Sequence, residues 1–281
     1  MTAKELQYHR EALGSFPHLV TPQLEQLSNL IGLSGCNILL TDAAGVVVDQ
    51  RVKVADVAQF QEWDLWEGAD WSERVQGTNG IGTCVIEERQ VVIHRNEHFR
   101  TRNIDLSCMD SPIWGPDGRL LAVLDVTSAR ADQNEYYNRL MLSQVAHTAK
   151  LIEMRVFRAS YPKARIVWAS ANGTDPAMLL AVNKDDLVIG ATRTARRALN
   201  LAREGKIDER PLAELLGDDD HSSDYDFGTA KRMVLTRALI RTGGNVTEAA
   251  RLLRIGRTTM YRRMARTGLG GKEQDCLTPD S

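Results

Sequence analysis

No apolar run in this 281-residue chain approaches the roughly 20 residues needed to span a bilayer. Its opening, MTAKELQYHREALG, is charged throughout where a signal peptide would be apolar. Both absences point to the cytoplasm and away from a membrane. Cysteine is scarce: Cys36, Cys84, Cys108 and Cys276 are scattered with no C-x-x-C pair, so neither a disulfide framework nor a structural zinc site is indicated, and buried free thiols are expected. The nucleotide loop G-x-x-x-x-G-K-[ST] is missing, as are G-x-S-x-G and H-E-x-x-H. The remaining carboxylates and histidines have no spacing that sets up acid–base or nucleophilic catalysis. An enzyme has little in its favour, and no cofactor is implied.

What the chain does have is a strong asymmetry of charge. Thr229 to Leu269 holds ten basic residues against one acidic, Glu248; that segment is +9 and, with the whole chain at −2, the rest must sum to −11. A localised basic module on an acidic protein is the electrostatic footprint of double-stranded DNA binding. Within it, Gly243 to Met264 reads as a helix-turn-helix. Asn245 is an N-cap, and Glu248 is placed to reach back to the cap's own amide. Ala249, Ala250 and Leu253 give a narrow apolar face over which a second helix can cross closely. Gly256 stands where the chain has to turn. The second helix, Arg257 to Arg266, turns Met260 and Met264 inward and leaves Arg257, Thr258, Thr259, Tyr261, Arg262, Arg263 and Arg266 outward, a set suited to a major groove and its flanking phosphates. Arg257, Thr258, Thr259 and Arg262 are the candidates for base edges. Arg254, Arg263 and Arg266 are the candidates for phosphates.

The stretch AKRMVLTRALIRTGGNVTEAARLLRIGRTTMYRRMARTGL resembles the Fis-type helix-turn-helix that closes many bacterial enhancer-binding activators. The resemblance implies that the preceding helix, about Thr229 to Thr242, forms a homodimer contact through apolar residues such as Met233, Val234, Leu235, Ala238, Leu239 and Ile240.

Toward the N-terminus two helices are expected, Lys4 to Leu13 and a second opened by Thr21 and Pro22. NILLTDAAGVVVDQ reads as two strands around a turn at Asp42 to Gly45. An aromatic cluster with Trp63, Trp66 and Trp71 follows, then a glycine-broken stretch before a helix at Ile81 to Glu87, a strand at Gln90 to His94, and a hairpin turning at Pro116, Asp117 and Gly118. Mixed helices and antiparallel strands make this an α+β domain. Four blocks, Trp71 to Thr83, Glu97 to Phe99, Ser107 to Ile113 and Asp117 to Asp125, resemble the GAF sensor domain of acetoin-catabolism regulators. That resemblance implies a six-stranded sheet with a small-molecule pocket on one face.

The organisation expected is a GAF sensor at 16–130, a linking helix at 131–160 that either joins a dimer bundle or caps the sheet, a truncated PAS-like segment at 161–216 with no assigned ligand, an acidic linker at 217–228, and an all-α Fis-type helix-turn-helix at 229–270. Full-length members of the resembled family carry an ATPase between sensor and helix-turn-helix. Neither its phosphate loop nor its GAFTGA segment occurs here, so ATP-driven remodelling of polymerase is not carried over.

For the effector, a small neutral or weakly polar metabolite fits best, with Trp63, Trp66, Trp71, Asn79, Thr83, Cys84 and Ser111 as candidate lining. For each of these residues the plain alternative is core packing or turn chemistry. A metal or redox site built from His94, His98, Glu97, Cys84 and Cys108 is the second reading, disfavoured because a strand end followed by a loop does not give the helical spacing of a ligand pair. No metal is assigned. A cation caged by the tryptophans is a third. At the level of the whole chain, a ligand-responsive dimeric regulator on a palindromic operator competes with a Fis-like architectural DNA-binding protein, which would not need the large acidic half. RNA polymerase or a partner activator are the further partners left open, as is the choice between activation and repression.

Overall fold

The computed structural model describes residues 1–31, 35–169, 177–216 and 227–269, without the side chains of 227–230, 233 and 237. The acidic linker before residue 227, the Met233 side chain and Cys276 therefore lie outside the described residues. The chain divides after Gly217 into two compact units.

The first unit opens with α1 (Ala3–Ala12), closed at its start by a capping box between Thr2 and Glu5, and α2 (Phe16–Ile31). The second helix begins earlier than Thr21 and Pro22 suggest. Pro17 already occupies the first turn, where a missing N–H costs nothing, and the Thr21 hydroxyl donates to the Pro17 carbonyl at 3.0 Å. Pro22 is simply carried inside the helix. Five strands follow, β1 (Cys36–Asp42), β2 (Val47–Val52), β3 (Val91–His94), β4 (Ser107–Trp114) and β5 (Leu120–Ser128). Between them lie the short helices α3 (Val57–Glu62), α4 (Glu73–Gln76) and α5 (Gly80–Glu87). The strands form one antiparallel sheet in the order β2-β1-β5-β4-β3. Among the described residues the sheet has five strands, one fewer than the six expected.

Both faces of this sheet are covered. On one, α2 and α6 (Glu135–Ser160, N-capped by Asn134) bury Leu24, Leu27, Val145 and Ile152 against Ile38, Met109, Leu124 and Val126. Each fully buried leucine contributes about 1.5–3 kcal/mol. On the other, α3, α5 and the aromatic segment pack Phe60, Leu65, Trp71 and Ile81 against Leu39 and Val47. Within this chain the long helix thus caps the sheet.

The C-terminal end of α6 also carries Phe157 into a second core with Leu179 and Ala181. Those belong to a smaller antiparallel sheet, β6 (Arg165–Trp168), β7 (Leu179–Val182), β8 (Leu187–Ala191) and β9 (Arg210–Pro211), in that spatial order, with α7 (Arg193–Ala198) and α8 (Leu212–Leu216). One helix therefore underlies parts of both sheets.

In the second unit α9 (Phe227–Arg241), α10 (Val246–Leu252) and α11 (Arg257–Arg266) enclose Leu235, Ala238, Ala249, Ala250, Met260 and Met264. Asn245 caps α10, accepting from the amides of Thr247 and Glu248 at 3.1 and 3.2 Å. The reciprocal arm from Glu248 is not made. The Asn245 amide donates instead to the Thr242 carbonyl at 3.0 Å. The turn also differs from expectation. Gly256 has φ −67° and serves as the N-cap of α11, whereas the left-handed residue is Arg254, at φ 53°.

Candidate functional site

Register decides which sensor residues share a face. Along β4, Cys108 pairs with Thr127 and Asp110 with Asp125, while Met109 pairs with Val126 and Ser111 with Leu124. Met109, Leu124 and Val126 belong to the core under α2 and α6, so Ser111 lies on that face. Trp63, Trp66, Trp71, Asn79, Thr83 and Cys84 come together on the opposite, α5 side. There Trp71 is fully buried with its indole N–H donating to the Asp64 carbonyl at 2.8 Å, and Trp63 and Trp66 are half-buried at the edge of the same cluster. Asn79 is occupied with structure: its amide donates to the carbonyls of Trp71 and Gly77, and its oxygen caps α5 by accepting from Gly82 at 2.9 Å. Thr83 donates to Glu73 at 2.6 Å, and Cys84 packs with Val91 and Val123.

Beneath α5 lies a group that was absent from the expected lining. Asp110 and Asp125 face each other across β4 and β5, both fully buried. Among the described residues neither oxygen of Asp110 has a partner apart from Asp125 itself, and only one oxygen of Asp125 does, accepting from the Thr127 hydroxyl at 2.7 Å. Burial pushes both carboxyls above the ordinary aspartate value, and for Asp110 the neighbouring carboxylate adds to the shift. Facing carboxyls of this kind titrate as a pair rather than singly. The first residue of α5 must be glycine here, since a Cβ on Gly80 would sit 2.1 Å from an Asp110 oxygen.

The histidines are engaged by protein groups. His94 Nδ1 contacts the Ser107 hydroxyl at 2.7 Å, Glu97 accepts from the His94 amide, and His98 meets the Arg95 carbonyl at 2.9 Å and the Cys108 sulfur at 3.4 Å. Burial keeps the His98 imidazole below its usual value and holds the Cys84 and Cys108 thiols above theirs. Among the described residues no group of three or more His, Cys, Asp or Glu is arranged to hold a metal ion.

On the helix-turn-helix, α11 turns Met260 and Met264 into the core and leaves Arg257, Thr258, Tyr261, Arg262, Arg263 and Arg266 exposed, with Arg254 exposed on the preceding turn. Thr259 is half-buried. The Arg257 guanidinium lies 5.7 Å from the Tyr261 ring.

Comparison with known proteins bears on both halves. Residues 18–156 match the GAF domain family, and residues 231–266 match the Fis family of bacterial regulatory proteins. The acetoin catabolism regulatory protein of Cupriavidus necator is 29% identical over 216 residues, covering 75% of this chain and 32% of that protein. The chain carries a GAF domain followed by a Fis-type helix-turn-helix. The acetoin dehydrogenase operon transcriptional activator AcoR of Bacillus subtilis is 32% identical over 110 residues, covering 39% of this chain and 18% of that protein. The chain thus spans about a third or less of these curated relatives. A solved chain of the E. coli DhaR(N)–DhaL complex shares the fold over 76% of this chain and 72% of its own, with a TM-score of 0.50 at 13% identity.

Two features of the chain escaped sequence reasoning. The acid pair is one: β4 is buried from Ser107 through Ile113, and only its pairing with β5 sets Asp110 against Asp125. The other is a basic cleft beside α7, whose arginines are spread from position 193 to 203.

Proposed function

We propose that this protein is a transcription regulator that senses a small neutral or weakly polar metabolite on the α5 side of its GAF sheet and acts as a dimer on a near-palindromic operator. What supports the sensor reading is the acid pair: buried oxygens without donors are costly unless something supplies a hydrogen bond, and an effector bearing a hydroxyl would do so. Trp63 and Trp66, half-buried at the edge of the same layer, offer the apolar wall such a pocket needs. For the dimer, α9 leaves Val234 and Ile240 about half or more exposed, an apolar surface a second copy would cover. Two recognition helices would then enter successive major grooves about 34 Å apart. Arg257, Thr258 and Arg262 take the base-edge role, Thr259 contributes only through its half-exposed hydroxyl, and Arg254, Arg263 and Arg266 hold phosphates.

The test is a melting-shift screen of the purified protein against small alcohols, diols, ketones, aromatic acids, choline-type cations and divalent metals. A ligand at a hundredfold excess over its dissociation constant stabilises the sensor by about 2.7 kcal/mol. A shift from an uncharged organic compound, weakened in Asp125→Asn, is the expected outcome. A shift from divalent metal alone would replace the metabolite reading with a metal sensor.

A further inference from the structure

A cleft of about 690 Å³ opens where α7 meets the GAF sheet, between the C-terminal end of α5, Trp114 at the end of β4, and Lys150 of α6. Its size is that of an ordinary small-molecule site. Its charge is lopsided. Lys150, Arg193, Arg196, Arg197 and Arg203 line it against only Glu87 and Glu88. Glu87 is already paired with Arg89, so Glu88 alone answers the arginines from inside the cleft, accepting from both Arg193, at 3.0 Å, and Arg203. Glu204, outside the lining, reaches Arg193 at 3.4 Å and Arg203 at 4.0 Å.

Arg196 sharpens the imbalance. It is 2% exposed, and its guanidinium donates to three carbonyls, those of Ala191, Ala202 and Gly205, at 2.8 to 2.9 Å. Carbonyls satisfy its donors but do not neutralise its charge, and a guanidinium does not give up its proton. A fixed positive charge without a carboxylate in contact, held in a low-dielectric wall, projects its potential into the opening beside it. Arg193 is held rigid above the Trp114 ring, 4.2 Å from its centroid, with a further bond to the Gly118 carbonyl at 2.8 Å. Arg197, one position beyond Arg196, is exposed at the mouth.

We propose that this cleft is a second ligand site, distinct from the α5 face of the GAF sheet, that takes a small organic or inorganic anion through a carboxylate or phosphate group. Arg193 and Arg203 present planar forks of the kind that bind either group bidentately. Arg197 supplies charge at the exposed side. Trp114 and Leu201 supply the apolar part of the lining. The anion would share the two arginines with Glu88, which stands at the C-cap of α5, so its binding bears on the helix that covers the acid pair.

The experiment is calorimetric titration of the full chain with inorganic phosphate and, separately, with succinate, in chloride buffer at fixed ionic strength. Saturable binding of at least one is expected. Arg197→Glu reverses an exposed charge and keeps the fold, read by circular dichroism, and weakens that binding roughly tenfold. Because the DNA-binding unit is itself basic, Arg262→Ala with Arg263→Ala is the matched control and leaves the binding unchanged. Phosphate alone binding assigns a phosphate site, and succinate alone a carboxylate site. The inference is overturned if neither anion binds saturably, if Arg197→Glu binds as the parent does, or if the control pair abolishes the signal.

Discussion

A carboxyl group in a dry interior without a donor keeps its proton, and Asp110 is such a group. Both its pKa and that of Asp125 are raised in the folded protein, chiefly by burial. The unfolded chain releases these protons near pH 4, so above that pH the folded state binds more protons than the unfolded state. Stability from this pair is therefore fully present below about pH 4 and is lost as pH rises toward and through the folded values. Replacing Asp110 with Asn keeps the shape, removes one of the two titrating groups and relieves the like-charge repulsion. Urea unfolding from pH 5 to 8 should show Asp110→Asn gaining on the parent as pH rises. The gain is roughly 1.4 kcal/mol for every pH step of one over which the parent releases one proton more than the variant on unfolding. Parallel stability curves would show that the pair does not titrate as a unit. The sequence did not disclose this residue for a definite reason. Seven of the eight positions of β4 are buried, from Ser107 through Ile113, so the alternation that marks a half-buried strand carries no contrast between its faces. Ser111 is a candidate in the sequence and Asp110 is not, and only the pairing of Asp110 with Asp125 separates the two faces.

At the scale of elements, what was legible was whatever had one wet face and one dry one. The recognition helix α11 begins at Arg257 and ends at Arg266 as its pattern requires, since Met260 and Met264 recur at four against a surround of arginine and threonine. The hairpins at Asp42 and Gly118 were equally clear from their turn residues. Less legible was the turn between α10 and α11, because the composition draws attention to Gly256 while the strain falls on Arg254. A non-glycine residue in the left-handed region costs about 1–2 kcal/mol, whereas Gly256 has an ordinary φ and a side chain there would meet nothing nearer than the Thr259 hydroxyl at 4.0 Å. Arg254→Gly should accordingly stabilise the unit by up to about 1 kcal/mol and, if Arg254 holds a phosphate as proposed, weaken DNA binding. Gly256→Ser adds an N-cap acceptor worth a few tenths of a kcal/mol and leaves the Arg254 charge in place. Thermal unfolding together with a DNA titration separates the two. Loss of stability in Arg254→Gly would mean that the arginine side chain, not its backbone, holds the turn.

For the whole molecule the governing quantity is the division of charge, +9 on residues 229–269 against −11 elsewhere. Among the described residues, none of the exposed arginines on α11 is held in an ion pair. Each is therefore available to displace a counterion from DNA, and binding should fall steeply with salt, by about 0.9 in log–log slope for every phosphate neutralised. Arg263 is exposed on α11, next to Arg262 and one turn before Arg266. If Arg263 holds a phosphate, Arg263→Ala weakens operator and random DNA alike and reduces the slope by about one. Arg262, assigned to a base edge, should behave differently: its loss costs about 1–3 kcal/mol on the operator and relaxes the preference for one base pair. Titrations of both variants on operator and random duplexes across a salt series separate positioning from reading. An unchanged slope in Arg263→Ala would remove that residue from the phosphate contacts and leave Arg254 and Arg266 to carry them.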